Sequence, residues 1–514
     1  MIDRSAGILL PVFSLPSAYG MGSIGAAARE FVDFLAEAGQ RWWQILPVVP
    51  AGGGNSPYSS ICTHAGDPML IDPELLLKDG LVTAEDLAAA RMPDTGRVDY
   101  SAVRAARTAI LRRAFAVGYE KDVAAVRAFE EENRWVRPYA LYMAARAYFG
   151  DKPWLEWPEK DLRNHEWDAV EYWSQQLADE IAYHIYVQYL FDRQWAQLKQ
   201  YANSKGVGII GDLPIYISLD SSDIWAEREQ FELDETGHPL RVAGVPPDYF
   251  CEDGQLWGNP LYNWDVMRAD GYGWWIRRVD SAARRFDAIR IDHFRALESY
   301  WAVPVDAETA KAGAWNPGPG MSLAGVLTGW FSGVQFIAED LGDITPAVTA
   351  LVQQSGMPGM RVLQFAFTNP GNAYLPHNYQ PNTICYTGTH DNNTLAGWYA
   401  EAKESELKFA RQYLGVDGAE ETRRAMLRAG MGSVASLFVA QLQDYLGLGA
   451  EGRINVPGVA KGNWEWRLRD GQLPRSLAKE IRALTATYSR CAPEEEKQSE
   501  AEPAPTAITK KDEE

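Results

Sequence analysis

The chain has 514 residues, 46% hydrophobic and 23% charged, a balance that suits a large globular core and excludes a disordered or fibrous chain. Its 49 basic and 69 acidic residues give a net charge of −20, which would repel a nucleic-acid backbone or an anionic membrane surface, so neither partner is expected and a neutral substrate suits it better. Cys62, Cys251, Cys385 and Cys491 lie far apart without C-x-x-C spacing and read as reduced thiols; with no basic leader at Met1–Arg4 and no apolar run of about 18 residues, the expected compartment is the cytoplasm.

In chain order, a first buried strand is expected over Gly7–Pro16, followed by an amphipathic helix over Ala26–Ala38 and a second strand over Arg41–Pro50. From about Ser56 to Trp173 the chain is rich in Ala, Glu and Arg at helical spacing, as in Ala102–Ala116 and Val123–Arg134; residues 56–173 are too long for a loop and predict a mostly helical insertion. The helical pattern Tyr186–Lys205 leads into a third strand, Val207–Ile217. Residues 218–265 are rich in Gly, Pro, Asp and aromatics and predict an irregular or β-containing lid. Trp274–Arg285 leads into a fourth strand, Asp287–Arg295, and a fifth, Val334–Gly342, precedes a helix over Ile344–Gln354. Gly359–Phe367, Thr383–Thr389 and Arg453–Pro457 complete eight strands.

Continuous apolar strands alternating with amphipathic helices mean a parallel sheet covered on both faces. Eight such units predict a (β/α)8 barrel of the TIM type over residues 1–487, with the helical and lid insertions at the carboxyl ends of strands. An open doubly wound sheet is the alternative, but no Gly-rich phosphate turn follows the first strand. Residues 488–514 read as a disordered acidic tail: from Cys491 onward there are eight acids and three bases.

Three runs end apolar stretches by releasing a carboxylate: Arg290-Ile291-Asp292-His293, Ile337-Ala338-Glu339-Asp340 and Thr389-His390-Asp391-Asn392. Carboxylates at the exits of buried strands can converge above a barrel, and a pair flanking one bond is what glycosidic chemistry needs. Arg290 is two residues before Asp292 and shares its strand face, so it is expected to lower the Asp292 pKa and keep a nucleophile ionised. The alternative is a structural ion pair at the rim. Glu339, partly ringed by apolar groups, is expected to have a raised pKa and to protonate a leaving oxygen; a rim Glu paired to a base is the bland alternative. Asp340 points the other way and reads as a helix cap with Gly342 and Asp343; for Asp391 a helix cap stands beside a role at the site. His293 and His390, each next to a carboxylate at a strand exit, suit donation to substrate hydroxyls. No His, Cys or Asp cluster has metal spacing, so no metal site is expected.

Gly-Asp-Leu-Pro-Ile-Tyr at 211–216, Arg-Ile-Asp-His-Phe-Arg at 290–295, Ile-Ala-Glu-Asp-Leu-Gly at 337–342 and Thr-His-Asp-Asn-Asn-Thr at 389–394 closely resemble the 4-α-glucanotransferases (amylomaltases) of the α-amylase clan. Asn-Ser-Pro-Tyr-Ser-Ser at 55–60, Pro-Pro-Asp-Tyr-Phe at 246–250 and Gly-Gln-Leu-Trp-Gly-Asn-Pro at 254–260 resemble amylomaltases specifically, in order, over residues 1 to about 487. The resemblance implies a barrel without a C-terminal β-sandwich and a cofactor-free transfer of α-1,4-glucan segments to maltooligosaccharides or glucose. It implies Asp292 as nucleophile, Glu339 as acid/base and Asp391 as transition-state stabiliser, with Asp212 and Arg290 supporting the nucleophile. Tyr58, Tyr249, Phe250 and Trp257 would line the glucan groove, and Gln255, Asn259, His293 and His390 would meet substrate. A retaining glucan hydrolase and a noncatalytic glucan-binding protein are the competing readings.

Overall fold

The computed structural model describes residues 2–247, 252–459 and 461–492. Twelve strands occur among them: β1 Ser5–Leu9, β2 Trp42–Gln44, β3 Gly208–Leu213, β4 Arg241–Val245, β5 Gln255–Pro260, β6 Ala288–Ile291, β7 Ser299–Pro304, β8 Ala314–Pro317, β9 Gln335–Ala338, β10 Gly359–Val362, β11 Thr383–Tyr386 and β12 Leu437–Gln441. Eight are parallel and close a barrel in the order β1-β12-β11-β10-β9-β6-β3-β2. Their short apolar runs, such as Ala288-Ile289-Arg290-Ile291 and Thr383-Ile384-Cys385-Tyr386, are buried along their whole length, as strands enclosed on both faces must be. Helices cover the outside with one apolar stripe each. In Ala26–Glu37, Ala28, Phe31, Val32 and Leu35 face the barrel while Glu30 and Asp33 face water.

The structure departs from expectation at the eighth strand and at Asp340. The eighth barrel strand is Leu437–Gln441, not Arg453–Pro457. Leu437, Phe438, Val439 and Ala440 offer a continuous apolar run, whereas Arg453 and Asn455 turn their polar groups toward the chain near Asp391 and lie outside any ladder. Asp340 is no helix cap. Thr345 caps the helix Pro346–Ser355, and Asp340 instead accepts the Met360 amide (2.6 Å) and pairs with Arg361 (3.0 Å). It thereby ties β9 to β10 where their ladder is reduced to one pair, Gly359 with Ala338.

In the region after β2, Tyr100–Glu132 is a single helix that runs through Gly118 without a break. A side chain there would meet the Tyr186 hydroxyl at 2.0 Å, so this glycine serves close helix packing. Strands β4 and β5 join β7 and β8 in an antiparallel sheet ordered β5-β4-β7-β8. Half of that sheet therefore comes from the chain after β6, well beyond residue 265. Tyr249 and Phe250 lie outside the described residues.

Gly211 holds the position before Asp212, and a Cβ on it would stand 2.1 Å from the Phe286 ring. We predict that Gly211→Ala lowers stability by about 1–3 kcal/mol through overpacking. A denaturant midpoint that does not move would show that the strand and Phe286 are not in close contact.

Candidate active site

The site is assembled by strand register. Asp212 of β3 lies opposite Arg290 of β6, and Leu213 opposite Ile291. Directly paired residues in register face the same way, so the Asp212 and Arg290 side chains both enter the barrel mouth. Asp292, two residues after Arg290, keeps that side. Hydrogen-bond ladders run one step past the strands: the Asp292 amide donates to Leu213 O (3.0 Å) and the Glu339 amide to Ile291 O (3.1 Å). The two carboxylates therefore leave adjacent strands at neighbouring levels.

Arg290 Nη1 donates to both carboxylate oxygens of Asp212 at 2.7 Å and to Asp292 Oδ1 at 3.0 Å. Tyr58, from the loop after β2, donates its hydroxyl to Asp212 Oδ2 (2.6 Å), stands 3.3 Å from His390 Nδ1 and stacks on that ring. Glu339 accepts the His293 amide at 2.6 Å and the Leu341 amide at 3.0 Å. To offer that amide His293 adopts a left-handed backbone, φ 50°, which is uncommon for a side chain of this size. Asp391 is half-exposed, with His390 Nε2 3.4 Å from its Oδ2. It caps no helix; Thr394 caps Leu395–Glu401.

Burial is the largest influence on both central carboxyls and raises them. Asp292 is pushed well above the usual aspartate range by burial, with Asp212, Glu339 and Asp391 adding to it and Arg290 opposing. The lowering expected from Arg290 alone is thus outweighed by burial, because Arg290 already shares its charge with Asp212. Glu339 is raised by burial against Arg290 and its two backbone donors. Asp292 and Glu339 feel one another and titrate as a pair. Burial drives His293 down to about 3 and lowers His390, so both rings are neutral near pH 7. It also lifts the Tyr58 hydroxyl well above its ordinary value, which keeps Tyr58 a donor.

Of the remaining expected residues, Trp257 sits edge-to-face with His293, ring centres 4.9 Å apart, and donates to Gln255 Oε1 at 3.2 Å. The Asn259 amide donates to Ile217 O (2.8 Å) and so anchors β5 to the chain leaving β3. Three residues went unassigned from sequence. Asn455 Nδ2 donates to Asp391 Oδ1 (2.6 Å), Arg453 Nη2 donates to Asp391 O (2.7 Å), and the Trp464 ring lies 5.8 Å from both Tyr58 and His390. Their sequence signal is a polar, Gly-rich loop near 453–463, which suits a lid over the acceptor side but singles out none of the three.

The 4-alpha-glucanotransferase family pattern matches residues 10–473. The chain is 45% identical over 502 residues to the 4-alpha-glucanotransferase of Thermus thermophilus, covering 95% of this chain and 99% of that relative. It is 41% identical over 501 residues to the chloroplastic/amyloplastic 4-alpha-glucanotransferase of Solanum tuberosum, covering 95% and 86%. Its fold superposes on the amylomaltase from Streptococcus agalactiae in complex with acarbose with a TM-score of 0.93 at 37% identity, covering 95% of this chain and 100% of that one.

A carboxyl raised by folding holds its proton to higher pH than in the unfolded chain. It therefore weakens the fold as pH rises from the unfolded pKa through the folded one, and that loss persists at neutral pH. Asp292→Asn removes the burden while Arg290 keeps Asp212. We predict that this variant melts about 1–3 °C above the parent at pH 7. The gain should disappear on acidification below the ordinary carboxylate range. A lower melting temperature at neutral pH would mean that the Arg290–Asp292 contact outweighs desolvation.

Proposed function

Because the chain belongs to the 4-alpha-glucanotransferase family and transfers α-1,4-glucan segments, we propose that Asp292 is its nucleophile, Glu339 its acid/base and Asp391 its transition-state stabiliser. The observation that carries this reading is the buried network in which Arg290 touches Asp292 and Asp212 together, beside a Glu339 raised by burial. Asp292 is the member of the pair whose charged form has a guanidinium partner; the reaction needs it ionised and Glu339 protonated, although burial raises both carboxyls.

Asp292 attacks the anomeric carbon of an α-1,4-glucan. The glycosidic bond breaks, and Glu339 gives its proton to the leaving oxygen. The second half reverses the roles: Glu339 removes the proton of an incoming 4-hydroxyl, which displaces Asp292 and restores an α-1,4 bond with net retention. Asp391, Tyr58, His390 and His293 surround the sugar as hydroxyl partners. Trp257, about a third exposed, offers a ring for stacking beside His293. Donors are maltooligosaccharides and longer α-1,4-glucans, and glucose can be an acceptor. The Streptococcus relative was solved with acarbose, a glucan oligosaccharide analogue, and the same class of ligand suits this groove. Asn455 and Trp464, brought together by the Trp464 N to Ile454 O bond (2.8 Å), and Trp257 of β5 flank the mouth and favour a stacked acceptor over water. No helix among the described residues is long and apolar enough to cross a membrane, and the thiols Cys62 and Cys385 suit a reducing cytoplasm.

Incubation with maltotriose alone tests the transfer reading: a ladder of longer and shorter oligomers is expected, and short sugars alone would indicate hydrolysis. For Glu339→Gln we predict loss of turnover on natural glucans with partial glycosylation by a donor whose leaving group needs no proton. Equal loss on both donors would remove Glu339 from the acid role. For Asn455→Ala we predict that kcat falls about tenfold or more, the scale of a hydrogen bond to a charged group, while the melting temperature moves by no more than about 2 °C. An unchanged kcat would show that Asp391 is held by other means.

A further inference from the structure

A second cleft, of about 600 Å³, lies away from the carboxylate network, where the end of the Tyr100–Glu132 helix meets the chain after β3 and the helix Gly273–Arg285. Its volume is that of a small-molecule site. None of the catalytic candidates, nor Tyr58 or Arg290, lines it.

One wall consists of rings. Trp135 lies nearly parallel to His64, 16° apart with centres at 5.9 Å, and Tyr139 adjoins it. His165 stands edge-on to Trp225 at 4.6 Å, on a left-handed backbone of φ 56°. A non-glycine residue in that conformation is held there by its surroundings. A second wall, joined to the first where Ser281 meets His64, is a single helical stripe, Arg277, Asp280, Ser281 and Arg284, spaced i, i+3, i+4, i+7. Its hydrogen-bonding groups are already fixed: Arg277 pairs with Glu227, Arg284 with Asp280 at 3.0 Å, and Ser281 Oγ meets His64 Nδ1 at 2.8 Å.

That arrangement selects a ligand class. The lining holds five carboxylates against three guanidinium groups, which disfavours an anion such as a phosphate. A neutral chain of sugar rings satisfies both walls, with its C–H faces on Trp135 and its hydroxyls on the preset Arg, Asp and Ser edges. We propose that this cleft is a second, noncatalytic binding site for a short stretch of α-glucan. It rests on the reading of the enzyme as an α-1,4-glucan transferase. A polymer held there is presented to the catalytic groove at raised local concentration, whereas maltotriose is too short to use both sites.

The test uses the full chain carrying Asp280→Ala and Arg284→Ala, two of the edges given to the sugar hydroxyls. Both side chains are about half exposed and pair with one another, so their joint removal leaves no buried charge unpaired. The variant should raise KM for long amylose about tenfold and leave maltotriose disproportionation within about twofold. In the Glu339→Gln background, calorimetric titration with maltoheptaose should show two classes of site, one of them lost in the variant. A KM for amylose that does not move, equal losses on both substrates, or a single class of maltoheptaose site would each overturn the proposal. The KM ratio is measured with the catalytic residues intact, so it stands independently of the role given to Glu339.

Discussion

The Arg290 guanidinium stands between two carboxylates at the mouth of the barrel, bonded to Asp212 from the neighbouring strand and to Asp292 from its own. Arg290 and Asp212 are almost completely buried. Such a pair adds little net stability when intact, but removing one member leaves an uncompensated charge at a cost of about 3–5 kcal/mol. The register of β3 against β6 is therefore coupled to the electrostatics of the site: a slip of one residue would turn Asp212 away from Arg290, leaving Arg290 with Asp292 alone and Asp212 without its partner. Tyr58 then closes on Asp212, and His390 stacks on Tyr58.

The same burial that makes this network rigid raises the carboxyls it contains. Two acids in one partly buried, partly shared field cannot both be fully ionised at little expense, and retaining chemistry needs one ionised and one protonated. The asymmetry comes from contacts. Arg290 reaches Asp292, whereas Glu339 meets only backbone amides. Asp391 is different again, half-exposed and held from the side by Asn455 and Arg453, which belong to a loop beyond the barrel.

Much of this was legible in the sequence because it is local. Alternation along Arg290-Ile291-Asp292 puts the charges on one face, and an apolar run ending in a carboxylate marks a strand exit. The barrel followed from counting such runs. What was hidden depends on distant partners. Leu437–Gln441 follows the helix Ala419–Gly432 after a few residues and carries no charged exit, so Arg453–Pro457 took its place in the count. Asp340 resembled a cap because Gly342 and Asp343 follow, yet its partners Met360 and Arg361 sit on the next strand. The pairing of β4 with β7 joins chain segments about 60 residues apart. The pKa of Asp292 could be given a sign from its neighbour in sequence, but the larger influence, desolvation, exists only in the folded barrel.

The mechanism turns on which atom takes the sugar. Glu339→Gln, charged with an activated maltooligosaccharide donor, lacks the base that would release the intermediate, so the adduct should accumulate. Proteolysis and mass spectrometry should then find one glycosyl ester, on the peptide containing Asp292 and on that side chain. An ester on Asp212, Asp391 or any other carboxylate, or product of inverted configuration without an adduct, would contradict it.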